Sequence, residues 1–206
     1  MTVKAIMSYK FEIDQNYLHL ENPLKNIETI FSSHDESVHE ARNVLKIIDI
    51  DGVSTVVKYF KIPHLLNKGV YTFFRKSKAY KSYHNAQYLR SLGVETPEPI
   101  ALFEFFKNSL LDESYFVAKE FKYDFDIRKV LLEEPKEKVQ ILKEFAHFTF
   151  DLHQKGIWHS DYSPENILIK KVGESYTFSF VDINRMNFKN ITDYDGLEKF
   201  QQALGQ

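Results

Sequence analysis

A chain of 206 residues that is 43% hydrophobic and 15% aromatic, with only 7 glycines and 6 prolines, is long enough for one domain, or one domain of two lobes, and too rich in core-forming residues for disorder. It has no cysteine, which excludes disulfides, thiolate metal sites and thiol redox chemistry and is compatible with a reducing cytoplasm. The net charge of −2 is uneven: between Asp51 and Glu95 there is no acidic residue, while Lys58, Lys61, Lys68, Arg75, Lys76, Lys78, Lys81 and Arg90 give that segment +8 and leave −10 for the rest.

In chain order, Met1 to Ala41 carries no pattern that assigns an element. Residues 43–60 read as a β-hairpin, because Asp51-Gly52 supplies the positive φ angles of a tight turn between runs rich in β-branched residues. Lys58 falls on the returning strand, where an isolated lysine is ordinarily a solvated one. Pro63 is placed to start a helix with Ile62, Leu65, Leu66, Val70, Phe73 and Phe74 as an apolar stripe, flanked by Lys61, Lys68, Arg75 and Lys76. The preferred reading packs that helix on the fold with its cations in water. The sharper one sets it against anionic lipid headgroups, at roughly 1 kcal/mol per basic residue. Cations interleaved with aromatics also suit nucleic acid, but no nucleic-acid motif accompanies them and none is expected as a partner.

Ser77 to Leu92 reads as the next helix, stopped by Gly93, with Thr96-Pro97-Glu98-Pro99 as an extended exit and no acidic residue along its length. Ile100–Phe106 and Ser114–Phe121 read as two strands separated by Lys107 to Glu113, completing a small antiparallel sheet. Asp124 and Asp126 suit turns or helix caps. Lys136 to Lys155 is a helix with Val139, Leu142, Ala146, Thr149 and Leu152 at helical spacing and a stop at Gly156. Its His147 and His153 are six residues apart and so on different faces, which argues against a shared metal. Leu197 to Leu204 looks like the start of a last helix.

The chemistry concentrates in His159-Ser160-Asp161-Tyr162-Ser163-Pro164-Glu165-Asn166, followed by Ile167-Leu168-Ile169 and then Phe180-Val181-Asp182. A carboxylate at Asp161 can orient and deprotonate a hydroxyl, while Asn166 and Asp182 offer the hard oxygens that magnesium takes when it bridges nucleotide phosphates. Val172-Gly173-Glu174-Ser175 reads as a hairpin turn that returns the chain so that Asp182 emerges beside Asn166. Singly, each of these residues is more often a turn or cap residue. Their joint spacing points to a phosphotransferase.

This order resembles the protein-kinase-like superfamily, whose catalytic loop reads H-x-D-x-x-x-x-N and whose metal-binding Asp follows a short hairpin. Within it, Ser163-Pro164-Glu165-Asn166 and Val181-Asp182-Ile183-Asn184-Arg185-Met186 are most similar to the bacterial lipopolysaccharide core kinases acting on heptose or Kdo, in which Asp-Ile-Asn or a similar sequence replaces Asp-Phe-Gly. The resemblance implies an α+β, two-lobed fold, with an N-terminal lobe of sheet plus helices over residues 1–121 and a mainly helical catalytic lobe over 122–206. That second lobe is expected to be shortened, since the chain ends 24 residues after Asp182. It further implies transfer of phosphate from ATP, with magnesium, to a sugar hydroxyl of the lipopolysaccharide core or a lipid-linked sugar.

On the same resemblance, Asp161, His159 and Asn166 are the catalytic-loop residues, with His159 bracing the loop rather than moving protons. Asn166 and Asp182 hold magnesium, Lys58 contacts the nucleotide phosphates, and Glu120, Phe121 and Lys122 form a hinge whose backbone meets the adenine edge. Relatives pair the strand lysine with a helix glutamate; here His84 stands at about that place, able to accept a hydrogen bond from Lys58 but not to supply charge. No G-x-G-x-x-G loop precedes Lys58, which leaves Ser32-Ser33-His34-Asp35-Glu36-Ser37 to cover the phosphates. Arg185 either holds an anionic substrate or braces the metal loop, and bracing ranks first. These departures keep two rivals in view: a pseudokinase or nucleotide-binding scaffold, and a soluble small-molecule kinase of the aminoglycoside or choline type. No apolar run is long enough to span a bilayer and the start lacks a secretory signal, so the expected place is the cytoplasm, with peripheral contact at the inner face of the inner membrane open to the basic segment.

Overall fold

The computed structural model describes residues 7–34, 39–40, 43–62, 76–190 and 192–204. They fall into two compact units, one running to Gln87 and including Glu98–Glu120, the other joining Tyr88–Pro97 to Phe121 and the residues that follow. The fold is mixed α and β with antiparallel sheets, as expected.

The first unit is built on a six-stranded sheet of β1 (Met7–Ile13), β2 (His39–Glu40), β3 (Asn43–Ile50), β4 (Val53–Lys61), β5 (Pro99–Lys107) and β6 (Leu110–Lys119), in the order β1-β5-β6-β4-β3-β2. Between β1 and β2 run a 3-10 turn and the short helices α1 (Glu21–Leu24) and α2 (Ile27–Ser33). Their Leu20, Leu24, Ile27 and Phe31 pack in one cluster with Ile48, Val57, Ile100, Phe103 and Val117 of the sheet. The β3–β4 hairpin forms as its sequence dictates: Asp51 and Gly52 both take positive φ, 49° and 82°, and bring Ile50 opposite Val53.

Two features of this unit depart from the sequence reading. β1 was not anticipated, although Met7, Tyr9, Phe11 and Ile13 alternate with Ser8, Lys10 and Glu12 at strand period; Phe11 stands opposite Phe103 with the rings 5.5 Å apart. The loop expected over Lys107–Glu113 shrinks to Asn108-Ser109, both with positive φ, 51° and 63°, so β6 starts at Leu110. Asparagine tolerates the left-handed region well enough to carry such a turn without glycine. The helix expected from Pro63 lies outside the described residues.

A carboxyl pair joins α2 to the sheet. Partial burial, then the hydrogen bond and like charge of Glu113, raise the Glu28 carboxyl to about 7, while Glu113 accepts from the Tyr59 hydroxyl at 2.9 Å. A raised carboxylate contributes stability that is complete below its ordinary value near 4.5 and is lost as the pH climbs through about 7. Glu28→Gln is therefore expected to flatten the fall in Tm between pH 5 and 8, with a gain of roughly 1–3 °C at the alkaline end, because solvent screens this accessible residue. Thermal melts at stepped pH would refute the linkage if both proteins lost stability in parallel.

In the second unit, β7 (Phe125–Asp126), β9 (Ile167–Val172) and β10 (Ser175–Phe180) make a three-stranded sheet in the order β10-β9-β7, and β8 (Ile157–His159) pairs with β11 (Met186–Phe188). Helix α3 (Lys78–Ser91), capped by the Ser77 hydroxyl, runs out of the first unit into the second and ends at Gly93, whose φ is +71°. Asp126 caps α4 (Ile127–Glu133) by accepting from Lys129 N at 2.8 Å. The face of α5 (Lys138–Gln154) is corrected: Ile141, Phe145, Thr149 and Leu152 are its buried residues, and Val139, expected inside, is 81% exposed. The bulky Phe145 sets the face, with the Tyr162, Phe178 and Phe200 rings 5.4–5.9 Å away. Helix α6 (Asp193–Ala203) starts in a Thr192–Asp195 capping box, and Gly196 lets it approach α5, since a Cβ there would sit 2.9 Å from His153 Nδ1.

Candidate active site

Two backbone ladders bring the motif residues of the second unit together. In the first, Met186 stands opposite His159 and Ser160 N donates to the Arg185 carbonyl at 3.1 Å, so the loops after β8 and before β11 start side by side. In the second, the β9–β10 hairpin turns at Gly173, whose φ is +62°, and closes with Ile167 opposite Phe180. One further bond, Val181 N to the Asn166 carbonyl at 3.0 Å, sets Asp182 next in chain to a residue tied to Asn166. The apolar Ile167-Leu168-Ile169 run that anchors the loop is buried.

His159 joins both loops. It is 4% exposed, and its Nδ1 accepts from Asp161 N at 3.1 Å, which places the ring proton on Nε2, 3.3 Å from the Val181 carbonyl. Burial holds its pKa below the ordinary value, against the opposing pull of that carbonyl and of Asp182 and Asp161, so the ring is a neutral brace. Tyr162 pins the loop from below through its hydroxyl, 2.9 Å from Thr149 Oγ1, and burial raises its pKa.

The side chains at the surface of this frame are oriented one by one. Asn166 Nδ2 donates to the Asp161 carbonyl at 3.1 Å and to Ser163 Oγ at 3.0 Å, which leaves its amide oxygen as the remaining arm. Asp182 takes a left-handed conformation, φ 55° and ψ 39°, and its Oδ1 accepts from Asn184 Nδ2 at 2.7 Å. Arg185 Nη1 lies 3.1 Å from Asp161 Oδ2, so it braces the candidate base itself. Neither this ion pair nor the Asn184 contact was foreseen; the i, i+2 spacing of Asp182 and Asn184 is the one local signal that could have suggested the latter.

In the first unit, Lys58 stands on β4 between Leu45 and Phe116, with Nζ 5.6 Å from the Phe60 ring centroid. His84, on α3, faces other partners than the lysine expected for it: its Nε2 is 3.4 Å from Glu12 Oε1, short of hydrogen-bond geometry, and its ring lies 4.0 Å from that of Tyr80. Glu12 belongs to β1, the strand that the sequence reading passed over. Glu120 closes β6, its N donating to the Ser54 carbonyl at 2.9 Å and its Oε2 accepting from Ser54 Oγ at 2.6 Å, and the half-buried Phe121 and exposed Lys122 follow where the chain re-enters the second unit. The Ser32 and Ser33 hydroxyls donate to the Thr29 and Ile30 carbonyls, and the His34 carbonyl accepts from Lys46 Nζ; residues 35–37 of the expected cover lie outside the described residues.

A model of the lipopolysaccharide kinase (Kdo/WaaP) family matches residues 56–201, a span that holds Lys58 and both loops. The chain belongs to the lipopolysaccharide kinase (Kdo/WaaP) family. It is accordingly a kinase, a phosphotransferase. Among solved structures, this family member is similar to WaaP in complex with acyl carrier protein, at 17% identity and a TM-score of 0.62, covering 93% of this chain and 78% of that one. It is also similar to the ADP/Mg2+-phosphoaspartate complex of Rio2 kinase from Chaetomium thermophilum, at 15% identity and a TM-score of 0.61, covering 85% of this chain and 57% of that one. A second Rio2 structure from the same organism gives 15% identity, a TM-score of 0.57 and coverage of 87% and 60%. The chain thus spans less than two thirds of the Rio2 chains, and these likenesses show the kinase-like fold. No curated protein sequence matches.

Proposed function

We propose that this kinase transfers phosphate from ATP to a sugar hydroxyl of the lipopolysaccharide core or of a lipid-linked sugar. The observation that carries the reading is the joint placement of Asp161, Asn166 and Asp182 on two loops stapled by the Val181–Asn166 backbone bond and the His159 bridge. With Oδ2 of Asp161 held by Arg185, Oδ1 is left to accept the proton of an incoming hydroxyl. The donor set fits magnesium: a carboxylate at Asp182 and the amide oxygen of Asn166, whose nitrogen is already engaged, are hard oxygens of the number magnesium takes beside phosphates and water. Magnesium held there would neutralise charge on the phosphates. Lys58 is assigned to those phosphates as well, and the backbone of Glu120, Phe121 and Lys122 to the adenine edge.

A lipid-linked acceptor sets the reaction at a bilayer surface. Among the described residues no helix is long and apolar enough to cross one, and the seven cations other than Lys58 between Asp51 and Glu95 support peripheral contact with an anionic face. The test is transfer of labelled γ-phosphate to purified core oligosaccharide and to lipid-linked core, with aminoglycosides and choline as soluble competitors. Label on a core sugar is the expected result. Label on a soluble alcohol alone, or on nothing despite tight MgATP binding, would overturn the reading in favour of a small-molecule kinase or a nucleotide-binding scaffold.

A further inference from the structure

On one side the sheet of the first unit ends in β1, whose outer edge pairs with no described strand. Proteins commonly blunt such an edge with proline, with a bulge or with charge. Met7–Ile13 contains no proline or glycine, and its register against β5 runs without a bulge from Met7 opposite Lys107 to Ile13 opposite Ala101. Met7, Ser8, Tyr9, Lys10 and Glu12 are exposed, Tyr9 to 45%. What guards the edge is charge alone: Lys10 and Glu12, opposite in sign and two residues apart.

The hydrogen-bond phase of β1 follows from its continuation. Asp14 N donates to the Ile100 carbonyl at 2.9 Å, one step beyond the pairing of Ile13 with Ala101 and in the same register. Hydrogen-bonded pairs alternate along an antiparallel ladder, so Glu12, Lys10 and Ser8 turn their backbone groups towards β5. Tyr9, Phe11 and Ile13 turn theirs outwards, where no backbone bond meets them among the described residues. The side chains alternate as well. Phe11 and Ile13 pack on the core of the unit, while Lys10 and Glu12 share the opposite face.

A second copy of the chain offers the matching edge. With the two strands antiparallel and Phe11 opposite Phe11, the outward groups of Tyr9 meet those of Ile13, and each Lys10 stands directly opposite Glu12 of the second copy. That charged pair falls at a position without backbone bonds, where Cα atoms lie about 4.5 Å apart and side chains come closest. Sliding the copy by one residue sets outward groups against inward-turned ones. Sliding it by two sets Lys10 against Lys10 or Glu12 against Glu12. The charges that would repel a neighbour in those registers therefore attract it in this one. Both groups have capacity for it: Glu12 meets His84 through Oε1, at 3.4 Å, which leaves Oε2, and the Lys10 ammonium lies 5.4 Å from the Phe106 ring centroid with no ion pair to a described carboxylate.

We propose that β1 is a self-pairing edge, through which two copies of this chain join their six-stranded sheets about a two-fold axis at Phe11, with reciprocal Lys10–Glu12 ion pairs selecting the register. The pairing is isologous, so each contact occurs twice. It does not rest on the phosphotransferase reading.

Sedimentation equilibrium of the full chain at low ionic strength, over a wide range of protein concentration, tests the pairing. A concentration-dependent dimer is expected. Lys10→Glu and Glu12→Lys should each raise its dissociation constant roughly tenfold or more, because each substitution sets like charges opposite one another at both symmetric positions. An equimolar mixture of the two variants should associate as wild type does, since each then carries the charges that complement the other. Lys10→Glu leaves the contact of Glu12 with His84 in place and carries the test if Glu12→Lys fails to fold. A monomer at every concentration overturns the proposal. So does a dimer unweakened by Lys10→Glu, or a mixture of folded variants that stays monomeric, because either result excludes this register.

Discussion

Asp161→Asn is expected to lower turnover by about 10² to 10⁴, the range that general-base assistance supplies, while MgATP affinity stays within roughly threefold. The substitution keeps shape. Its backbone amide still donates to His159 Nδ1 and its carbonyl still accepts from Asn166, because both contacts are made by main-chain atoms. What is lost is the carboxylate that pairs with Arg185 at 3.1 Å and that can take a proton from a hydroxyl. An interaction made only as the proton moves affects kcat and kcat/KM alike and leaves ground-state nucleotide binding alone. The measurement is steady-state transfer to the core acceptor paired with calorimetry on the same variant. Turnover equal to wild type would remove Asp161 from the chemistry, and loss of MgATP binding would make it a structural residue instead.

How much of this could be read in the sequence depended on how local each determinant is. The catalytic loop, the Gly173 hairpin and the Asp51-Gly52 turn are set by neighbouring residues, so the order of Asp161, Asn166 and Asp182 was legible without coordinates. The partners that orient those side chains come from elsewhere. Arg185 was expected at the metal loop, yet it reaches back to Asp161 because β11 pairs with β8, and a three-residue strand leaves little trace in composition. His84 was read against Lys58 from helix position alone. Glu12 is its actual neighbour, on an edge strand whose alternation is plain but whose sheet position depends on pairing with β5, some 90 residues away in sequence. The α5 face shows the same limit: several apolar stripes fit one helix, and the aromatic partners of Phe145 on other elements choose among them.

Asp182→Ala is expected to abolish the magnesium dependence of ATP binding, weakening it by roughly 100-fold or more, since removing even a residue that only supports a metal ligand costs 10 to 100-fold. Alanine at this position changes two things at once. Asp182 holds a left-handed backbone, φ 55°, in which a side chain with a Cβ and no local polar group is disfavoured by about 1–2 kcal/mol. Asp182→Asn separates the effects, because asparagine tolerates that conformation and its amide oxygen can keep the contact to Asn184, while the negative charge is gone. Both variants should lose magnesium-dependent affinity, with only the alanine protein melting about 2–8 °C lower. If the asparagine protein bound MgATP as wild type does, the charge at Asp182 would not be what holds the metal. If neither variant altered binding, the magnesium assignment itself would fall, and with it the placing of the phosphates against Asp161.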